Sequence, residues 1–131
     1  MIYLDSSAIV KLVRLEGRTR ALIAYLKDSD EFVTSVISTV EVHRAVRRVK
    51  ARPRVHQRAE KVLDRFGLVE VDASIRAVAV KLEPTGLRAL DAIHVATALD
   101  LGADVSALVT YDGRQAEAAR LAGIHVDSPG A

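Results

Sequence analysis

Four carboxylates in the sequence stand where a solvated surface does not call for them. Asp5 directly follows the short apolar run Ile2-Tyr3-Leu4, and Asp112 follows Ala107-Leu108-Val109-Thr110 after one further residue, Tyr111. Both are thereby expected at the C-terminal end of a strand, where α/β sheets bind their ligands. Glu41 lies four residues from Ile37 and four from Ala45, on one helical stripe with residues expected to pack inward, where a lone Glu is costly to bury. Asp91 opens Leu90-Asp91-Ala92-Ile93-His94-Val95-Ala96-Thr97-Ala98-Leu99, the most apolar helix of the chain. Each acid alone also has a plainer use. Asp5 and Asp112 suit helix caps, Glu41 an intrahelical pair with Arg44 or Arg48, and Asp91 the compensation of a helix dipole. His94 reads as a hydrogen-bonded packing residue rather than a ligand.

Taken together, the four acids say more. Two like charges about 4 Å apart repel by up to about 4 kcal/mol at an effective dielectric near 20, so converging carboxylates need a cation or a retained proton. Mg²⁺ or Mn²⁺ suits an oxygen-only ligand set, and one or two such ions can activate a water and stabilise a leaving oxygen on phosphorus. The chain has no Cys, which removes disulfides, thiolate zinc sites and a cysteine nucleophile from consideration.

The elements that must position these acids are legible in the hydrophobic pattern. The chain has 131 residues, 50% apolar and 27% charged, which implies one globular domain over 1–131 and excludes disorder and repeat architectures. Strands are expected at Ile2–Leu4, Phe32–Val33, Leu68–Val71, Ala107–Thr110 and Ile124–Val126. Helices are expected from Ser6 or Ser7 through Val13, over 21–26, from Ser38 toward Pro53 along Ile37, Val40, Ala45 and Val49, over Arg54–Phe66 with Gly67 as a left-handed cap, and over Ser74–Leu82, Leu90–Leu101 and Gly113–Ala122. Strands separated by helices, with no hairpin signature, predict a three-layer α/β/α sandwich around a mainly parallel sheet. The tail, 127–131, is expected to fray.

Aromatic residues make up 4% of the chain with no Trp, so a base-stacking platform is poorly provided. No apolar run approaches the roughly 18 residues of a membrane span and the start lacks a basic leader region, so a cytoplasmic setting without membrane contact is expected. The net charge of +2 is unevenly spread: positions 44–61 hold eight Lys or Arg against Glu60 alone, a window of +7 that leaves −5 for the rest. Arg44, Arg47, Arg48, Lys50 and Arg54 are candidates for RNA phosphate contacts, with Arg58 and Lys61 continuing the spacing. A solvated face is the plainer use, and an acidic protein partner a third.

At these residues the chain resembles the PIN-domain ribonucleases and, within them, the VapC-type toxins of toxin–antitoxin pairs. The resemblance rests on Ile2-Tyr3-Leu4-Asp5-Ser6-Ser7, Ser38-Thr39-Val40-Glu41-Val42, Leu90-Asp91-Ala92-Ile93-His94-Val95-Ala96-Thr97-Ala98 and Val109-Thr110-Tyr111-Asp112. It implies a PIN-like fold in which Asp5, Glu41, Asp91 and Asp112 form an acidic pocket for Mg²⁺ or Mn²⁺, supported by the hydroxyls of Ser6 and Thr110. It also implies a metal-dependent endoribonuclease, a homodimer, and a cognate antitoxin whose tail covers the pocket. Family members often carry a further acid soon after the fourth, where this chain has Gly113-Arg114-Gln115, so a second metal would have fewer ligands. Two other readings are weighed. An aspartyl phosphatase of the haloacid-dehalogenase type needs a second Asp two residues after the first, and Ser7 stands there. A non-catalytic RNA-binding module of the same fold would not need all four acids.

Overall fold

The computed structural model describes residues 1–131. The chain runs β1 (Ile2–Leu4), α1 (Ser6–Val13), α2 (Thr19–Leu26), β2 (Phe32–Ser35), α3 (Ile37–Arg48), α4 (Pro53–Leu63), β3 (Gly67–Val69), α5 (Ala73–Lys81), α6 (Ala89–Leu101), a 3₁₀ turn (Gly102–Asp104), β4 (Ala107–Val109), α7 (Gly113–Leu121) and β5 (Val126–Asp127). All five strands are parallel, in the order β3-β2-β1-β4-β5. The expected α/β/α sandwich is therefore what the chain builds.

Alternation along the strands assigns the two cores. Ile2, Leu4 and Val109 face the layer formed by α1 to α4, among Ala8, Ile9, Leu22, Val42 and Leu63. Tyr3, Val33 and Leu108 face the other layer, among Val95 and Ala98 of α6 and Ala116 and Ala119 of α7. A period of two on short, fully covered strands is what a sheet with helices on both sides requires. Strand order proceeds from β1 outward to β2 and β3, then returns past β1 to β4 and β5, which makes the C-terminal ends of β1 and β4 the switch point. Leu4 pairs with Val109, and the Asp5 backbone N–H donates to the Val109 carbonyl at 3.2 Å, so Asp5 and Thr110 emerge side by side.

Several local expectations are corrected. Gly67 is no helix cap: α4 ends at Leu63, and Gly67 opens β3 opposite Val33 without a positive φ. The buried stripe of α3 is Ser38, Val42 and Val46, while Val40 and Val49 are exposed, because the sheet lies on the side of α3 that carries Ser38. Nor does α3 run on to Pro53. It stops at Arg48, and Lys50 takes φ 52°, with Ala51 N–H donating to Val46 O at 3.3 Å and Lys50 N–H to Arg47 O at 3.0 Å. That is a Schellman ending with Lys where Gly is usual. Pro53 instead serves as the first residue of α4, a position where its missing N–H costs nothing. The last strand begins at Val126 rather than Ile124, and the tail is tied down instead of frayed: Ser128 Oγ donates to Thr110 O at 2.6 Å and Tyr111 OH to Pro129 O at 2.8 Å.

Candidate active site

Asp5 leaves β1 in an extended conformation and caps α1, its Oδ1 accepting from Ala8 N–H at 3.0 Å and Ser7 Oγ at 2.7 Å. Its Oδ2 accepts from Thr110 Oγ1 at 2.6 Å. The cap and the site readings of Asp5 are thus compatible. The residue is 2% exposed, and burial pushes its pKa up, opposed by the positive charge His94 can carry and by the three hydrogen bonds. A buried carboxylate with no Lys or Arg beside it is the costly arrangement that a bound cation would offset.

Thr110 Oγ1, which donates to Asp5, also accepts from Asp112 N–H at 3.1 Å. The supporting hydroxyl of α1 is Ser7 rather than Ser6: Ser7 Oγ bonds Asp5 and accepts from Tyr111 N–H at 2.9 Å, joining the ends of β1 and β4. Ser6 lies in the wall of a cavity that also holds Glu41.

Asp112 caps α7, its Oδ1 accepting from Arg114 N–H at 2.9 Å and Gln115 N–H at 3.2 Å. Gln115 then reaches α6, where its Nε2 donates to Asp91 Oδ1 at 3.2 Å. Gln115 thereby links two acids that repel, through its backbone N–H to Asp112 and its buried side-chain amide to Asp91. Burial first, then the charge of Asp112 and more weakly that of Glu41, raise the Asp91 pKa, with Gln115 and His94 pulling it down. Glu41 pairs with neither Arg44 nor Arg48. Its Oε1 accepts from Nε2 of the buried His94 at 2.7 Å.

The fold therefore sets the four acids along one edge, with Thr110 between Asp5 and Asp112, Gln115 between Asp112 and Asp91, and His94 tying Glu41 to α6. Their oxygens are spread more widely than a single ligand shell, and no three Asp, Glu or His side chains surround a common point closely enough to hold an ion as they stand. The donor chemistry nonetheless suits a hard divalent ion. All donors are carboxylates, and Glu41, Asp91 and Asp112 each hold only one oxygen in protein hydrogen bonds.

Two cavities flank the acids. One of about 490 Å³ is lined by Lys11, Glu41, Arg44 and Arg48, and another of about 400 Å³ by Arg88, Asp91, Asp112, Arg114 and Glu117. A third, about 340 Å³ and mostly apolar, lies among Leu12, Ile23, Phe32 and Phe66, away from the acids. Arg47, Lys50 and Arg54 line none of these three. On α3 at about 100° per residue, Arg44 and Arg48 fall roughly 60° and 20° from Glu41, whereas Arg47 falls about 120° away. Arg58 is already engaged, donating to Val13 O at 3.2 Å.

Sequence reasoning missed Ser7, Tyr3, Gln115, Arg88 and Arg114. A Tyr within a core strand carries a usable signal, because its buried hydroxyl must find a partner. Gln115 gives none, being an ordinary polar residue of a surface helix until the fold turns it toward Asp91.

Residues 2–121 match the family model described as the PIN domain. The chain is 44% identical over 134 residues to Ribonuclease VapC35 of Mycobacterium tuberculosis, covering 99% of this chain and 98% of that protein. It is 41% identical to Ribonuclease VapC46 of the same organism over 128 residues, covering 98% and 97%. A toxin–antitoxin complex from Klebsiella pneumoniae contains a similarly folded chain, with a TM-score of 0.68 at 21% identity over 86% of this chain and 87% of that one.

Proposed function

Because the chain belongs to the PIN-domain family and, within it, to the VapC ribonucleases, we propose that it is a Mg²⁺- or Mn²⁺-dependent endoribonuclease and the toxin of a toxin–antitoxin pair. The observation that carries this reading is that Asp5, Glu41, Asp91 and Asp112 lie along the edge of the sheet at the β1/β4 switch point, with Asp91 within electrostatic reach of Asp112 and Glu41. Asp5, Asp91, Glu41 and Asp112 would hold the cation. When bound, it supplies Lewis acidity that lowers the pKa of water and offsets charge on the phosphate oxygens. Thr110 and Ser7 fix the orientation of Asp5, and Gln115 holds Asp91 near Asp112.

Lys11, Arg44 and Arg48 on one side of the acids, and Arg88 and Arg114 on the other, bind the phosphates that flank the scissile bond. Lys11 also pairs with Glu16 at 3.3 Å, whereas Arg44, Arg48, Arg88 and Arg114 have no carboxylate partner within salt-bridge distance and are free to meet RNA. A cognate antitoxin would cover the same pocket; a similarly folded chain belongs to a toxin–antitoxin complex from Klebsiella pneumoniae. A homodimer belongs to the same proposal, and the exposed Val40, Val80 and Leu90 offer apolar surface to a second copy.

The test is cleavage of RNA by metal-stripped protein before and after Mg²⁺ or Mn²⁺ is restored. Activity that appears only with the ion supports the reading. Undiminished cleavage in EDTA overturns it, and metal-independent RNA binding without cleavage favours the non-catalytic alternative.

A further inference from the structure

His94 is the buried polar group at the site for which this chemistry has no use. It is 1% exposed and sits on α6 three residues after Asp91. Its Nδ1 lies 2.7 Å from the hydroxyl of Tyr3 and its Nε2 2.7 Å from Glu41 Oε1. The Ser35 backbone N–H donates to the same Tyr3 oxygen at 3.2 Å. The Tyr3 and His94 rings meet edge-on, with centroids 5.8 Å apart and planes at 76°.

Donor counting orders this line. A backbone N–H only donates, so the Tyr3 oxygen accepts there; a carboxylate only accepts, so His94 Nε2 carries the proton; the Tyr3 proton is then left for Nδ1. One neutral tautomer satisfies every atom. Burial raises the Tyr3 pKa, which keeps the phenol a donor.

We propose that Tyr3 and His94 are a buried positioning pair that fixes Glu41 of α3 against the repulsion of Asp91, an assignment that rests on Glu41 helping to hold the cation. Glu41 is only half-buried, and its flexible side chain would otherwise swing toward Arg44 or Arg48, away from the other acids. His94 shares α6 with Asp91, and Tyr3 precedes Asp5 by two residues on β1. The pair thus references Glu41 to the elements that carry two of the other three acids. Partners that orient a ligating side chain are worth 10- to 100-fold in metal affinity where they have been removed from other sites.

The test uses the full chain, titrated with Mn²⁺ and followed by electron paramagnetic resonance of the free ion, with melting curves to monitor folding. His94→Leu is expected to weaken Mn²⁺ binding by about 10- to 100-fold. His94→Gln, which keeps a terminal N–H donor, is expected to recover most of that loss, and Tyr3→Phe to weaken binding less than His94→Leu does. Wild-type affinity in His94→Leu, or a folded His94→Gln no better than His94→Leu, overturns the proposal. If His94→Leu does not fold, Tyr3→Phe decides, and wild-type affinity there overturns it. Nitrogen NMR of metal-free protein provides an independent arm: the proposal requires the Nε2–H tautomer and loss of that hydrogen-bonded proton in Glu41→Ala. An Nδ1–H tautomer overturns it. Wild-type protein that binds no Mn²⁺ and cuts no RNA would defeat the reading of the site, while the NMR result would still decide whether the pair holds Glu41.

Discussion

Asp5 shows how one residue serves structure and chemistry at once, and the two can be separated by substitution. Asn keeps an acceptor for the Ala8 N–H and removes the charge, and the Thr110 hydroxyl can turn to accept from the new amide. Because burial raises the folded-state pKa above the unfolded value of about 3.9, the native state holds its proton more tightly. The stability linked to Asp5 is therefore full below the unfolded pKa and is lost as pH rises through the folded one. Asp5→Asn has no such loss. In urea titrations the variant is expected to be at least as stable as wild type at pH 7 in metal-free buffer, with its advantage shrinking toward pH 4. Its RNA cleavage should fall by more than about 100-fold, beyond what changes to orienting partners cost. A variant less stable than wild type at pH 7 would show that ionised Asp5 contributes more through its hydrogen bonds than burial costs it. Retained cleavage would remove Asp5 from the catalytic set.

Among the elements, α3 is where sequence and structure part most clearly. Its basic residues look alike in sequence, yet the helix turns Arg44 and Arg48 into the cavity beside Glu41 and leaves Arg47 outside it. Changing Arg44 and Arg48 to Ala should lower the slope of log K against log salt for single-stranded RNA by up to about 1.4, at roughly 0.7 per lost contact. The same change at Arg47, Lys50 and Arg54 should leave the slope nearly unaltered; an equal drop would mean that RNA crosses the whole window. The end of α3 supplies a second prediction. Lys50 holds φ 52°, a conformation that costs an L-residue roughly 1–2 kcal/mol and glycine almost nothing sterically. Lys50→Gly should raise stability by about 0.5–1 kcal/mol after the entropy cost of glycine, read from the denaturation midpoint, with RNA binding unchanged. The sequence misplaced this helix end because Pro53 is the louder signal, although the Schellman turn closes the helix four residues earlier.

For the whole molecule, what was legible follows from range. The alternation of strands and helices, and acids set against apolar runs, are local patterns, so the layers and the four carboxylates could be read from the chain. The contacts joining those acids are not local: Tyr3 meets His94 across 91 residues, Glu41 meets His94 across 53, and Asp91 meets Gln115 across 24. No periodicity encodes such pairs, because their cause is the order of strands in the sheet. The tail is hidden for the same reason. A short run ending Ser128-Pro129-Gly130-Ala131 looks like a disordered end, yet it folds back on the residues leading to Asp112, with Ser128 bonded to Thr110 and Pro129 to Tyr111. Gly130 is held at φ 81° so close to α2 that a Cβ there would lie 2.9 Å from the Ala21 Cβ. Tyr111 is also flanked by Lys11 and Arg18, at 5.0 and 5.6 Å from its ring. Removing 128–131 deletes two side-chain hydrogen bonds at about 1 kcal/mol each, which for a domain of this size corresponds to roughly 5–10 °C in Tm. It also frees the segment that presents the Thr110 hydroxyl to Asp5, so cleavage should fall along with the melting temperature. Gly130→Ala is expected to act in the same direction, since neither its φ nor the space beside Ala21 accommodates a methyl group. If both variants melt and cleave as wild type does, the tail is not a strap, and the geometry of Thr110 and Asp112 is set by β4 and α7 alone.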